Sequence, residues 1–280
     1  MIRIVVDSSS DYQLEEIREK KLDLVTIAIT IGEKQYVDGV DLDRNQFYEI
    51  LEETGEFPKT AQPSPQQFLD VFLDAKEKGD EVVCITLSSA LSGTYQSALL
   101  AKDMAEYEPI YVVDSRTATC NIKVLADYAR KLADDGHSAG EIAEQVEGLK
   151  SRVKVVAALD TLEYLSRGGR LSRTAAALGD MAGLKPLITI TEAGEVSVLG
   201  KALGKNKAIS NSLRHLEKLK IDEAFPIYSI YSYGTENCER FEENLESKGI
   251  HPAKRLQIGA TIGAHIGPEA FGIIFVEQGI

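Results

Sequence analysis

Apolar positions along the chain recur with two different periods. Short unbroken or alternating runs at 2–6, 24–31, 81–86 and 110–113 carry the strand pattern. Between them, apolar residues recur every three or four positions, at 68, 69, 72 and 75 and again at 122, 125, 126, 129, 132 and 133, which is helical spacing. Small residues fill 94–105, and 139–150 adds a further helix after the turn at 136–138. Short apolar strands alternating with amphipathic helices predict a parallel sheet covered on both faces.

Beyond residue 150 the pattern changes. Strands are expected at 153–158, 227–233, 254–258 and 271–276, with helices at 205–220 and 236–247. The runs 187–191 and 195–199 face each other across an E-A-G turn, a hairpin signal. Helical material at 161–183 is broken by Gly168 and Gly169. The expected fold is therefore α/β: a parallel-sheet domain over residues 1–150, then an α+β domain with a mixed or antiparallel sheet over 151–280. No Pro- or Ser-rich linker separates them, so the join should be tight and its cleft a natural ligand site.

Composition narrows the function classes. Among 280 residues, 31 Lys and Arg face 44 Asp and Glu, a formal net charge of −13. That balance argues against nucleic acid, whose partners carry a basic face, but not against a small anion held by local donors. Three cysteines, 84, 120 and 238, make neither a disulfide framework nor a metal site. No apolar run approaches the length of a membrane span, and the opening apolar stretch is too short for a secretion signal. A soluble, cytoplasmic protein in a reducing compartment is expected. Phosphate loops, dinucleotide fingerprints, nucleophile elbows and zinc motifs are absent from the sequence. No catalytic residue, metal ligand or cofactor is expected.

Four segments carry candidate chemistry. T-L-S-S-A-L-S-G-T-Y-Q-S-A at 86–98 leaves a strand through a hydroxyl-rich loop and enters a helix. Ser92 and Gly93 at its opening serve either as a cap or as contacts for an anion, and the two roles are compatible. Thr60 precedes A-Q-P-S-P, a proline-stiffened loop leading to a helix with Ser64 as N-cap and Pro65 at its first position. Arg170 follows Gly168 and Gly169, flanked by Arg167 and Arg173, and would reach an anion or remain a solvated surface group; Ser172 is expected to cap the next helix. His265, in a glycine-rich loop at 259–269, is a proton donor, an anion contact or a satisfied buried imidazole. The other histidines, 137, 215 and 251, sit in polar contexts. V-V-D-S occurs at 5–8 and again at 112–115, placing Asp-Ser turns at two strand ends, where ligands of open α/β sheets lie.

These segments, in order, make the chain resemble the DegV family of bacterial fatty-acid-binding proteins. The resemblance rests on V-V-D-S-S-S-D-Y, K-T-A-Q-P-S-P at 59–65, L-S-S-A-L-S-G-T-Y-Q-S-A at 87–98, V-V-D-S-R, L-E-Y-L-S-R-G-G-R-L-S at 162–172 and I-G-A-T-I-G-A-H-I-G-P at 258–268. Ala61 departs from the serine frequent in the family. The resemblance implies one long-chain fatty acid, such as palmitate, stearate or oleate, in a tunnel between two domains. Its carboxylate would be held by the Thr60 and Ser92 hydroxyls and the N–H groups of Ser92 and Gly93, with Arg170 and His265 near the head group. It further implies a non-catalytic carrier that presents the acid to a separate ATP-binding fatty acid kinase subunit, which makes the acyl phosphate. Peripheral or transient membrane contact is compatible with such a cargo. Candidate tail contacts are Ile27, Leu159, Leu162 and Leu184. The alternative is a lipid or acyl-phosphate hydrolase using Ser92 with His265 as base.

Overall fold

Asp7 and Asp114 end two parallel strands and brace the loops that follow them. The computed structural model describes residues 1–171 and 183–279. Strands β1 (Ile2–Asp7), β2 (Leu22–Val25), β6 (Glu81–Thr86) and β7 (Ile110–Asp114) form a parallel sheet in the order β2-β1-β6-β7. Alternation decides the faces. Ile4, Val6, Val83 and Ile85 join one buried cluster, while Val5, Val82 and Cys84 join another with Phe68 and Phe72. Helices α3 (Pro65–Lys78) and α4 (Thr94–Ala105) cover the second face; α5 (Cys120–Asp134) and α6 (Ala139–Lys150) cover the first.

Local signals set these helix ends. Ser64 and Gln67 form a capping box ahead of Pro65 in α3, and Gly79 closes it in the left-handed region at φ 68°. Ser138 and Glu141 do the same for α6.

The second half builds a six-stranded mixed sheet ordered β10-β9-β8-β13-β11-β12. Its strands are β8 (Val153–Ala158), β9 (Leu184–Ile190), β10 (Val196–Leu203), β11 (Tyr228–Tyr231), β12 (Lys254–Gln257) and β13 (Phe271–Val276). Among these strands only β11 and β12 pair in parallel; the expected hairpin is the β9–β10 pair, which runs beyond its sequence signal at the open end and stops one residue short of it on each side of the turn. Along β8, Val153, Val155 and Ala157 face the cluster shared with the parallel sheet. Val156 and Ala158 face helices α8 (Lys205–Leu216) and α9 (Glu236–Glu246). The first cluster thus runs without a break from Ile4 to Ile274, and the join is packed core.

Several elements depart from the sequence reading. The run at 24–31 is two strands, β2 and β3 (Ala28–Ile31), because the chain turns out of the parallel sheet at 26–27. β3 pairs antiparallel with β4 (Lys34–Val37) and β5 (Lys59–Ala61) in a small third sheet that the period-2 pattern, too short there, did not announce. The glycine-rich segment at 259–269 is not a loop throughout: it contains helix α10 (Ala260–Ile266). Together with α2 (Arg44–Thr54), the small sheet packs on α10 through Ile29, Phe47 and Tyr48. The helical stretch expected across 161–183 is represented by α7 (Glu163–Arg167); Ser172 and Arg173 lie outside the described residues.

Candidate functional site

Between the carboxyl ends of the parallel strands and the inner face of the mixed sheet lies a cavity of about 400 Å³. The mixed sheet contributes Val155, Ala157, Ile188, Ile190 and Val196; the loops after β6 and β7 contribute Leu87, Leu91 and Ala118. Of the four tail contacts expected, Ile27 and Leu159 line it. Leu162 and Leu184 do not; Leu162 is buried in the adjoining core instead. The inward-facing residues of β8 and β9 were missed, although their strand alternation was a signal that would have found them.

Thr60, Gln62, Ser92, Arg170 and His265 bring polar groups to this wall; Thr119 and Thr261 also line it, but their hydroxyls donate to the buried Asp11 and Asp38. Thr60 is not in a free loop. It sits in β5 opposite Ile29, so the small sheet fixes its direction. Its Oγ1 lies 3.0 Å from Nε2 of His265.

His265 stands on α10, and the glycines around it serve packing. A Cβ at Gly263 would lie 2.5 Å from the Tyr48 hydroxyl and 2.7 Å from Phe47; one at Gly267, where φ is 71°, would strike the Tyr164 ring. The imidazole itself lies on Gly168, where a Cβ would overlap Nδ1. Nδ1 is buried with no hydrogen-bond partner among the described residues. Burial, and then the positive charge of Arg170, push the pKa of His265 down to about 4. The side chain is therefore neutral near pH 7, ready to share a proton with a hydroxyl and carrying no charge of its own.

Ser92 is not the N-cap expected of it: Gly93 holds that position, with no side-chain cap hydrogen bond, and Ser92 stands one residue ahead. Its Oγ pairs with Thr94 Oγ1 at 2.8 Å and accepts from the Thr94 N–H at 3.3 Å, at the first turn of α4. The Ser92 N–H donates to the Ser88 carbonyl at 3.1 Å, so this expected anion donor is already engaged. Gly93 is the residue at the helix N-cap position, and it lies under the Gln62 side chain. Arg170 follows Gly169, which adopts φ 71° as the chain leaves α7. Its Nε donates to the Leu91 carbonyl at 3.0 Å and its Nη1 to the Gly168 carbonyl. The guanidinium thus ties the end of α7 to the loop carrying Ser92 while facing the cavity.

Two expectations are corrected. Arg167 does not add to the positive charge at the cavity: it pairs with Glu163 at 2.7 Å and stacks on Phe57, 3.8 Å from the ring centroid. Asp7 is not exposed at a strand end but fully buried, accepting the N–H groups of Ser9 and Leu87 at 2.9 and 2.7 Å. Asp114 accepts from the Ser89 N–H at 3.1 Å and its hydroxyl at 2.5 Å. The repeated V-V-D-S is a device for bracing the hydroxyl-rich loop after β6 from the strands on either side of it, β1 and β7. The Ser–His pair that a hydrolase needs is not made, since Ser92 bonds Thr94 and His265 bonds Thr60.

A family model described as "Uncharacterised protein, DegV family" matches residues 1–278. The chain belongs to the DegV family. It is 38% identical over 279 residues to a DegV domain-containing protein of Caldanaerobacter subterraneus subsp. tengcongensis, covering 99% of each chain. Its fold is similar to that of a fatty-acid-binding DegV family protein from Thermus thermophilus, with a TM-score of 0.88, 28% identity and 99% of each chain covered. A stearic acid-binding protein from Eubacterium ventriosum gives a TM-score of 0.88 at 27% identity, over 99% of this chain and 98% of that one. Among the described residues of this DegV chain, all three cysteines are free and buried and no helix is long and apolar enough to cross a membrane.

Proposed function

We propose that this protein binds one long-chain fatty acid in the cavity, with the carboxylate at Thr60, Ser92, Gly93, Arg170 and His265. The observation that carries the reading is a mostly apolar wall that also holds Thr60, Gln62, Ser92, Arg170 and His265. Burying about 16 CH₂ groups at roughly 0.8 kcal/mol each supplies a large driving force. A carboxylate leaving water requires donors in exchange. The Thr60 hydroxyl, the Gly93 N–H and the Arg170 guanidinium are suited to provide them, and the neutral His265 orients Thr60. The similarity to DegV proteins described as binding fatty acids supports the same reading.

The protein would act as a carrier, not a catalyst, in this scheme. A separate ATP-binding subunit would supply the γ-phosphoryl group; a carboxylate oxygen attacks the phosphorus, ADP leaves, and the acyl phosphate stays with the carrier. The division near residue 150 would then separate two domains closing on the ligand, and loading would involve transient contact with a membrane.

Native mass spectrometry of the purified protein tests the first step. One fatty acid per chain, released on denaturation, is the expected result. Protein stripped of lipid that fails to bind palmitate or oleate at micromolar concentration would overturn it. Failure of a loaded protein to yield acyl phosphate with ATP and an ATP-binding acyl kinase subunit would remove the second step alone.

A further inference from the structure

Gln62 follows Thr60 by two positions, just past the end of β5, where the small sheet meets the first turns of α4. It lines the cavity and is also exposed, so its side chain stands on the boundary between the polar cluster and solvent. Its Nε2 donates to Ser97 Oγ at 3.1 Å, and Ser97 is buried within α4.

The carboxamide lies directly on Gly93. A Cβ there would overlap it, with the Gln62 Cδ at 2.6 Å. Gly93 has φ −76° and ψ 8°, a conformation open to residues with side chains. Backbone freedom therefore does not call for glycine at this position, whereas room for Gln62 does. A seat made by a missing side chain, a side chain filling it, and a hydrogen bond across to the next element form one assembly.

We propose that Gln62 controls access to the head-group end of the cavity: its carboxamide closes the solvent side, carried by β5 and latched to Ser97. The inference rests on the carboxylate assignment above. Donors around a carboxylate act most strongly when water is kept out, yet a reacting partner has to reach the same oxygen. A side chain at the rim, rotating on the picosecond to nanosecond scale of exposed side chains, reconciles the two without opening the core. One net hydrogen bond holds such a latch shut by a factor of about five.

The test uses palmitate-loaded protein, a water-soluble carbodiimide and a small primary amine. The bound carboxylate adds to the carbodiimide, with a proton from water, to give an O-acylisourea; the amine attacks the acyl carbon, the substituted urea leaves, and the extracted palmitoyl amide is counted by mass spectrometry. Ser97→Ala removes only the latch bond and should raise the initial capture rate about fivefold with palmitate stoichiometry retained. Gln62→Ala should raise it further, and Gly93→Ala should do likewise by pushing the carboxamide from its seat. Equal capture rates in wild type and all three variants overturn the access role alone. The same holds if capture rises only in step with palmitate lost to solution. Wild-type protein that takes up no palmitate overturns the lipid reading, and the access role with it.

Discussion

Oγ1 of Thr60 and Nε2 of His265 meet at 3.0 Å across 205 residues of sequence, one on the small antiparallel sheet and one on α10. The pair joins the two halves of the chain at the polar end of the cavity. Its hydroxyl is rigidly aimed because the strand fixes the backbone and the imidazole fixes the rotamer. Thr60→Val keeps the shape and removes the bond. The expected cost is about 1–2 kcal/mol of folding stability, since a buried imidazole nitrogen loses its partner. Palmitate affinity should fall about tenfold if the hydroxyl also contacts the carboxylate. Denaturant titration and calorimetry read the two effects separately, and unchanged affinity would remove Thr60 from the head-group contacts.

The low pKa of His265 makes a prediction with a definite sign. The group ordinarily titrates at 6.5 and here at about 4, so between those values the unfolded chain binds a proton that the folded chain does not. Stability from this site is intact above the unfolded value and is lost as pH falls toward 4. Asp11 works in the opposite direction. Burial raises it from 3.8 to about 6 against the pull of Arg44, so the folded chain holds an extra proton between those values and loses stability as pH rises through them. The two oppose each other in wild type between about pH 4 and 6. His265→Asn removes one of them. Relative to this variant, wild type should lose about 2 kcal/mol between roughly pH 7 and pH 5. Parallel stability curves for the two proteins would show that the imidazole is not buried neutral.

The positions of helices and parallel strands were legible in the sequence because period and capping are local. α4, α6, β6, β8 and β13 end where the pattern says. Thr60, Ser92, Arg170 and His265 were legible as unusual residues, but the partners of each were not. Ser92 answers to Thr94 and Ser88, and His265 to Thr60 and Gly168, through contacts set by packing. Arg167 shows the limit from the other side: adjacent charges in sequence fell on different faces once Gly168 and Gly169 turned the chain. Gln62 went unnoticed because its role depends on the glycine it covers.

Gly194 makes the hairpin turn between β9 and β10 part of the site. Its carbonyl accepts the Ser88 hydroxyl at 2.9 Å, and Ser88 in turn holds the N–H of Ser92. At φ 83°, a side chain is strained there, and a Cβ would also overlap Ser88 Oγ and approach the Arg116 Cα to 3.1 Å. Gly55, at φ 65° with nothing within 4 Å of a Cβ, offers the comparison for strain alone. Gly55→Ala should cost about 1 kcal/mol, and Gly194→Ala about 2 kcal/mol or more because a packed contact is lost as well. Only the second should also accelerate loss of bound fatty acid. Equal losses of stability in the two variants would show that the turn is not seated on Ser88.

Ala157 tests where the acyl chain runs. It faces the cavity from β8, pairs with Ile188 on one side and has Gly272 on the other, so small residues leave space in the middle of the mixed sheet. Ala157→Leu adds three carbons to that space, on a face already buried and apolar. Each methylene the ligand can no longer bury forfeits roughly 0.8 kcal/mol, about a fourfold change in affinity. Stearate should therefore lose about one to two orders of magnitude relative to myristate, with palmitate between them. Denaturing extraction after exposure to an equimolar mixture of the three acids gives the profile in one measurement. A profile identical to wild type would place the acyl chain away from β8, against the loops after β6 and β7.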